Sequence, residues 1–141
     1  MNKKPILGII GLGYWGPNLL RNLDNLKDYS YIKYLCDINS ETLRPFGRVR
    51  SERFTLDYKE VCNDKDIDAV IISTSTATHY QIVKYALENG KDVFCEKPLT
   101  NNLRHAEEIL ELTNKNKRIT MVGNVFIYHP AVRELKKRIS S

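Results

Sequence analysis

Short apolar runs alternate along the chain with stretches whose apolar residues recur at helical spacing, and the alternation repeats about six times. The first run, residues 5–10, is mostly Ile and Leu. Without polar residues on every second position, it suits a strand buried on both faces of a parallel sheet. Leu19, Leu20, Leu23 and Leu26 then follow at helical spacing. Later runs predict strands at 29–37, 53–55 (a short edge strand), 68–73, 92–96 and 119–123. Between them the pattern predicts a helix at 40–50, broken or kinked near Pro45 and Gly47, and one or two helical turns at 57–63. Further helices are predicted at 79–89, stopped by Gly90, and at 101–116. Residues 124–128 continue apolar as an exposed loop, and Pro130 starts a last helix over 131–139. Strands and helices in this alternation predict an α/β fold: a doubly wound parallel sheet of about six strands, with helices on both faces.

The first strand meets the first helix through Gly11-x-Gly13-x-x-Gly16. Strand, glycine turn and helix in that order is the setting of the dinucleotide fingerprint. Gly11 permits the tight turn, Gly13 lets the backbone approach a pyrophosphate, and Gly16 lets the helix lie close on the strand. The helix start offers N–H groups and a positive dipole end to phosphates, and Pro17 sits where its missing N–H costs nothing. The second predicted strand ends at Asp37, 21 residues beyond Gly16. An acidic residue there accepts both hydroxyls of the adenosine ribose. The competing reading is a helix N-cap, but Asn39 or Ser40 can cap, which leaves Asp37 for the ribose. An acidic residue also repels a 2′-phosphate, so NAD is expected over NADP.

Other polar clusters follow the remaining strand ends: Ser73-Thr74-Ser75-Thr76 with Thr78-His79, then Glu96-Lys97-Pro98, then residues 124–128. In a doubly wound sheet, ligands bind beyond the carboxyl ends of the strands, so five clusters converge on one edge.

Composition narrows the class. The chain has 141 residues, 42% hydrophobic and 28% charged, which fits one soluble domain with its own core. Its net charge of +5 comes from 22 basic and 17 acidic residues, interspersed, so no nucleic-acid partner is expected. Cys36, Cys62 and Cys95 are far apart and form no CxxC, which argues for a reducing, cytoplasmic setting and against a disulfide framework or a metal site. No secretory leader is expected at the N-terminus, and no run approaches the roughly 20 apolar residues of a membrane helix.

With these residues assembled, the chain resembles the N-terminal half of the glucose–fructose oxidoreductase / inositol dehydrogenase (Gfo/Idh/MocA) family. The resemblance rests on residues 11–16, Asp37, Ser73-Thr74-x-Thr76-x-x-His79 and Glu96-Lys97-Pro98, and it covers essentially the whole chain. Residues 14–18 and Phe126-x-Tyr128-His129-Pro130-Ala131-Val132 resemble the branch that oxidises sugar nucleotides. The resemblance implies a Rossmann fold and hydride transfer between a hydroxyl-bearing carbon of a sugar or sugar nucleotide and NAD. It places Lys97 beside the nicotinamide and the reacting hydroxyl, orienting the alcohol or joining a proton relay, with a cis peptide before Pro98. It implies that Glu96 touches the nicotinamide ribose, and that Ser73 and Thr74 contact the cofactor backbone. It implies that Tyr14 and Trp15 lie at the cofactor, with Trp15 flanking the pyrophosphate through its backbone N–H or its ring simply packing. Thr76 and His79 either join the cofactor site or form the start of the following helix, and Asn124 lies with them at the cofactor. Relatives often have proline at the position of Ser75, which implies a looser loop here.

The resemblance also implies a second, substrate-binding domain that this chain lacks. Residues 1–123 are then the dinucleotide-binding domain, and 124–141 the loop and helix leading toward the second domain. Such a fragment is expected to bind NAD without completing catalysis, and to form a homo-oligomer through apolar residues near 125–128 and 132–135. The competing function is a non-catalytic module that senses NAD(H), which has no need of Lys97.

Overall fold

Ile9 and Ile10 point to opposite faces of the central strand, and each enters a separate core. The computed structural model describes residues 3–140. Met1, Asn2 and Ser141, at the outer bounds of the expected 1–123 and 124–141 division, lie outside the described residues. Six strands form one sheet: β1 (Ile6–Ile10), β2 (Tyr31–Cys36), β3 (Arg53–Thr55), β4 (Ala69–Ile72), β5 (Asp92–Cys95) and β6 (Thr120–Val122). Their order is β3-β2-β1-β4-β5-β6, and all neighbours are parallel. The chain winds outward from β1 to β3, returns to β4 beside β1, and winds outward the other way. This is the doubly wound Rossmann arrangement, with its switch point between β1 and β4.

Winding in two directions places helices on two faces. Leu20 of α1 (Gly16–Asp24) and Leu43 of α2 (Ser40–Leu43) pack on Ile9, Ile32 and Leu35. On the other face α3 (Tyr58–Asn63), α4 (Thr76–Glu88) and α5 (Leu103–Lys115) cover Ile10, Val70, Ile72 and Val93 through Val61, Val83, Ala86, Leu87 and Ile109. Each fully buried aliphatic side chain stabilises the fold by about 1.5–3 kcal/mol relative to exposure. That double burial is why β1 and β4 read as unbroken apolar runs.

Helix boundaries differ from the sequence pattern for local reasons. α2 ends at Leu43 instead of running to Arg50, because Pro45 has no N–H to continue the ladder; turns closed by Phe46 and Val49 N–H groups follow. Asn39 caps it by accepting from Glu41 N at 3.0 Å. α4 starts at Thr76, three residues before the apolar periodicity begins, because the carbonyl of Ser75 accepts both the backbone N–H (2.9 Å) and the hydroxyl (2.8 Å) of Thr78. α5 begins at Leu103 with Asn102 as its cap, 2.9 Å from Arg104 N. The predicted exposed loop at 124–128 is a 3-10 turn, Val125–Tyr128, and α6 (Pro130–Ile139) follows outside the sheet. His129 Nδ1 caps α6 by accepting from Ala131 N at 3.2 Å. Among the described residues no helix is long and apolar enough to cross a membrane.

Candidate functional site

The sheet ladder runs one residue past the ends of β1, β2, β4, β5 and β6 on the carboxyl edge. Gly11 N–H donates to Cys36 O, Asp37 N–H to Thr55 O, Ser73 N–H to Ile10 O, Glu96 N–H to Ile72 O and Gly123 N–H to Cys95 O. The residues that follow these strands are therefore fixed to one another before any side chain is considered. They open onto a cleft of about 930 Å³, a volume in the range of small-molecule sites.

Gly11 turns the chain with φ +93°, a conformation that disfavours a side chain; a Cβ there would also stand 2.6 Å from the Ser73 carbonyl. Gly16 opens α1 so close to that turn that a Cβ would lie 2.2 Å from Gly11 O. Gly13 differs: it lines the cleft, and a Cβ would meet nothing within 4 Å. Two glycines thus shape the turn, and the third keeps backbone bare toward open space. Tyr14 and Trp15 also line the cleft, at the mouth of α1, whose first turn contains no acidic residue.

Asp37 is fixed by two backbone donors. Leu12 N–H donates to Oδ2 at 2.8 Å and Asn39 N–H to Oδ1 at 2.9 Å. Capping of α2 falls to Asn39, so Asp37 stands on the cleft wall with a lone pair on each oxygen still available.

Beyond the switch point the wall is formed by Ser73, Thr74, Glu96 and Lys97. Glu96 lies over Gly123, where a Cβ would come within 3.0 Å of its carboxylate. Its Oε2 accepts Lys97 N–H at 3.2 Å, whereas its buried Oε1 has no hydrogen-bond partner among the described residues. A buried carboxylate oxygen without a donor fits a hydroxyl brought by a ligand. Lys97 is exposed, and the Lys97–Pro98 peptide is cis, as the resemblance implied.

Three of the expected site residues stand elsewhere. His79 is 1% exposed and lies beneath the cleft wall, with Nδ1 2.8 Å from Pro98 O and Nε2 3.1 Å from Thr74 O. Thr76 opens α4 and is not part of the cleft lining. For both, the helix-start reading is the one the geometry realises. Asn124 is also off the lining; its backbone is engaged with Val122 and Ile127, and its neighbours Gly123 and Val125 face the cleft instead.

Other cleft residues lay outside the sequence reading. Ile38 (89% exposed), Leu56 and Tyr58 form an apolar margin beside Asp37. The strand-end rule, applied to the short β3 as it was to the others, finds Leu56 and Tyr58. Gln81 and Ile82 line the cleft from α4, beside Thr78 of the predicted hydroxyl cluster. They become visible once α4 is started at Thr76, since 78, 81 and 82 then share one helical face.

The three cysteines are free and buried; Cys36 lines the cleft beside Asp37, whereas Cys62 and Cys95 are not part of the lining. Burial pushes the Cys36, Cys62 and Cys95 thiols up to about 12, so they stay neutral.

The family described as "Oxidoreductase family, NAD-binding Rossmann fold" (Gfo/Idh/MocA) matches residues 6–124. Inositol 2-dehydrogenase of Salmonella typhimurium is 32% identical over 143 residues, covering 95% of this chain and 41% of that protein. An uncharacterized oxidoreductase, YrbE of Bacillus subtilis, is 32% identical over 137 residues, covering 96% of this chain and 40% of its own length. The crystal structure of myo-inositol 2-dehydrogenase from Lactobacillus plantarum superposes with a TM-score of 0.87 at 28% identity, over 98% of this chain and 41% of that one. The chain thus spans about 40% of the length of the curated relatives it matches. It belongs to the Gfo/Idh/MocA oxidoreductase family, as that family's NAD-binding Rossmann domain.

Proposed function

We propose that this chain is the cofactor half of a dehydrogenase that moves a hydride between NAD and a hydroxyl-bearing ring carbon of a cyclic polyol or sugar. One observation carries the reading: the glycine turn, Asp37, Glu96 and Lys97 share a single cleft at the switch point of the sheet. In this reading Asp37 takes the adenosine ribose hydroxyls on its free lone pairs, and Ile38, Leu56 and Tyr58 flank the adenine. The pyrophosphate lies over Gly13 at the positive end of α1. Glu96 Oε1 accepts a hydroxyl of the second ribose, and Ser73 and Thr74 contact the cofactor chain between them.

The bound nicotinamide supplies the hydride acceptor at its C4. Lys97 would hold the substrate hydroxyl by hydrogen bonding and relay its proton to solvent as the carbon's hydride leaves to the nicotinamide, so that the alcohol gives a ketone, NADH and one released proton. Residues 124–141 connect this half to a substrate domain. Relatives named for inositols support a polyol ring as the substrate class. Sugar nucleotides are the narrower choice, supported by residues 14–18 and 126–132. Free buried cysteines suit a reducing cytoplasm. Exposed apolar side chains on Val125–Tyr128 and at Val132, Leu135 and Ile139 support a homo-oligomer; a monodisperse monomer by light scattering at high concentration contradicts that part.

The test is to assay the whole protein that carries this chain for NADH formation with inositols, free sugars and sugar nucleotides. Turnover with one class, reduced about a hundredfold or more by Lys97→Ala with NADH binding retained, is the expected result. Full activity in Lys97→Ala, or no turnover with any class, contradicts it.

A further inference from the structure

The loop that carries Lys97 is tied to the rest of the molecule at one polar point. Among the described residues, 97–100 makes a single hydrogen bond to another element, between the carbonyl of Pro98 and the ring of His79. The other bonds of this loop are local: Lys97 N–H to Glu96 and Asn102 N–H to the Thr100 hydroxyl. His79 lies in the first turn of α4, fully enclosed, and its other nitrogen is 3.1 Å from Thr74 O on the neighbouring loop. Thr74 and Lys97 both line the cleft. The imidazole therefore spans the floor between the two loops that form the inner end of the cleft.

Both neighbours are carbonyl oxygens, which only accept. A neutral ring donates to one of them and a cationic ring to both. In either state, an enclosed ring with fixed partners sets the spacing between the loops it touches; Glu96 N–H on Ile72 O and the packing of Leu99 on the core anchor the Lys97 loop on either side, and His79 is its polar tie between them. Ser73 is independently anchored, its N–H 2.8 Å from Ile10 O. The glycine turn and Asp37 are held by their own bonds, Gly11 N–H to Cys36 O and Leu12 N–H to Asp37 Oδ2. Loss of the His79 ring removes the polar tie on the Lys97 loop and leaves these other bonds in place.

We infer that His79 is a positioning residue: acting through the Pro98 and Thr74 carbonyls, it fixes Lys97 at the inner end of the cleft, opposite Thr74. The inference rests on the reading of Lys97 as the residue beside the nicotinamide.

The test uses this chain as wild type, His79→Ala and His79→Gln. Affinity is measured calorimetrically for NADH and for ADP, which lacks the nicotinamide half. Acetylation of Lys97 by an amine reagent is followed by peptide mass spectrometry with and without NADH. In wild type, NADH shields Lys97. In His79→Ala the shielding is lost and NADH affinity falls about tenfold, as for a buried hydrogen-bonded tie, while ADP affinity holds. His79→Gln keeps one amide donor and falls between. Equal losses for ADP and NADH, or unchanged shielding in both variants, overturn the inference. In wild type the His79 ring 15N resonances shift on adding NADH and hold still with ADP; no shift with NADH overturns it without any variant. Wild-type Lys97 left unshielded by bound NADH defeats the reading of Lys97 itself, and the inference with it. Intact shielding in the variants defeats only the role of His79.

Discussion

Asp37 Oδ2 accepts the backbone N–H of Leu12 at 2.8 Å, which fastens the end of β2 to the glycine turn after β1. One carboxylate therefore has two tasks: it fixes the turn over which a pyrophosphate passes, and it presents acceptors to a ribose. Asp37→Asn preserves the shape and one carbonyl acceptor while removing the charge. It is expected to lower NADH affinity about tenfold or more, since hydrogen bonds to a charged group are the stronger kind. It is also expected to narrow the preference for NAD over NADP, because the repulsion of a 2′-phosphate goes with the charge. Calorimetric affinities for both cofactors check this.

The three glycines separate into structural and functional positions. Gly16→Ala drives a methyl to 2.2 Å from Gly11 O, and is expected to cost about 1–3 kcal/mol in urea unfolding. Gly13→Ala meets no protein atom within 4 Å, so stability is expected to hold within about 0.5 kcal/mol. Its methyl instead occupies the space above the turn, and NADH affinity falls. Loss of stability in Gly13→Ala with binding retained contradicts the assignment.

Lys91 is buried with its ammonium 2.7 Å from Asp64 O and 2.8 Å from Ile67 O, at the edge of the sheet away from the cleft. Burial holds its pKa below the ordinary lysine value. Lys91→Met keeps the length and leaves both carbonyls without that donor. The expected loss is about 1–3 kcal/mol in denaturant unfolding, with NADH affinity unchanged per folded molecule.

The buried thiols give a pH signature. Each is raised from 9.0 to about 12 in the folded chain by burial. Above pH 9 the unfolded chain releases thiol protons that the folded chain keeps, so stability falls as pH rises from 9 toward 12. Cys62→Ala removes one such group, and its unfolding free energy is expected to fall less steeply over the same window. A slope equal to wild type contradicts this.

Much of the site was legible because each strand is a short apolar run that ends in chemistry. Gly11, Gly13, Gly16, Asp37, Ser73, Thr74, Glu96 and Lys97 all stand within a few residues of a strand end, and all line the cleft or shape its floor. For His79 the sequence leaves the cofactor site and the helix start both open, because it shows which residues are near a strand end but not which way they point. Its ring turns inward, with one nitrogen 2.8 Å from Pro98 O and the other 3.1 Å from Thr74 O. Ile38 and Leu56 were passed over because an exposed apolar residue carries no signal alone; their meaning comes from standing beside Asp37. The start of α4 lies three residues before its apolar periodicity because the Thr78 hydroxyl and N–H on the Ser75 carbonyl, and not apolar packing, hold its first turn.

Calorimetric titration of the chain with NAD⁺, NADH and NADP⁺ asks whether this cleft binds NAD with Asp37 as the selecting group. The expected result is saturable binding of NAD⁺ and NADH at one site per chain, with NADP⁺ much weaker. Equal binding of NADP⁺, or no binding of any of the three by a folded chain, would contradict it.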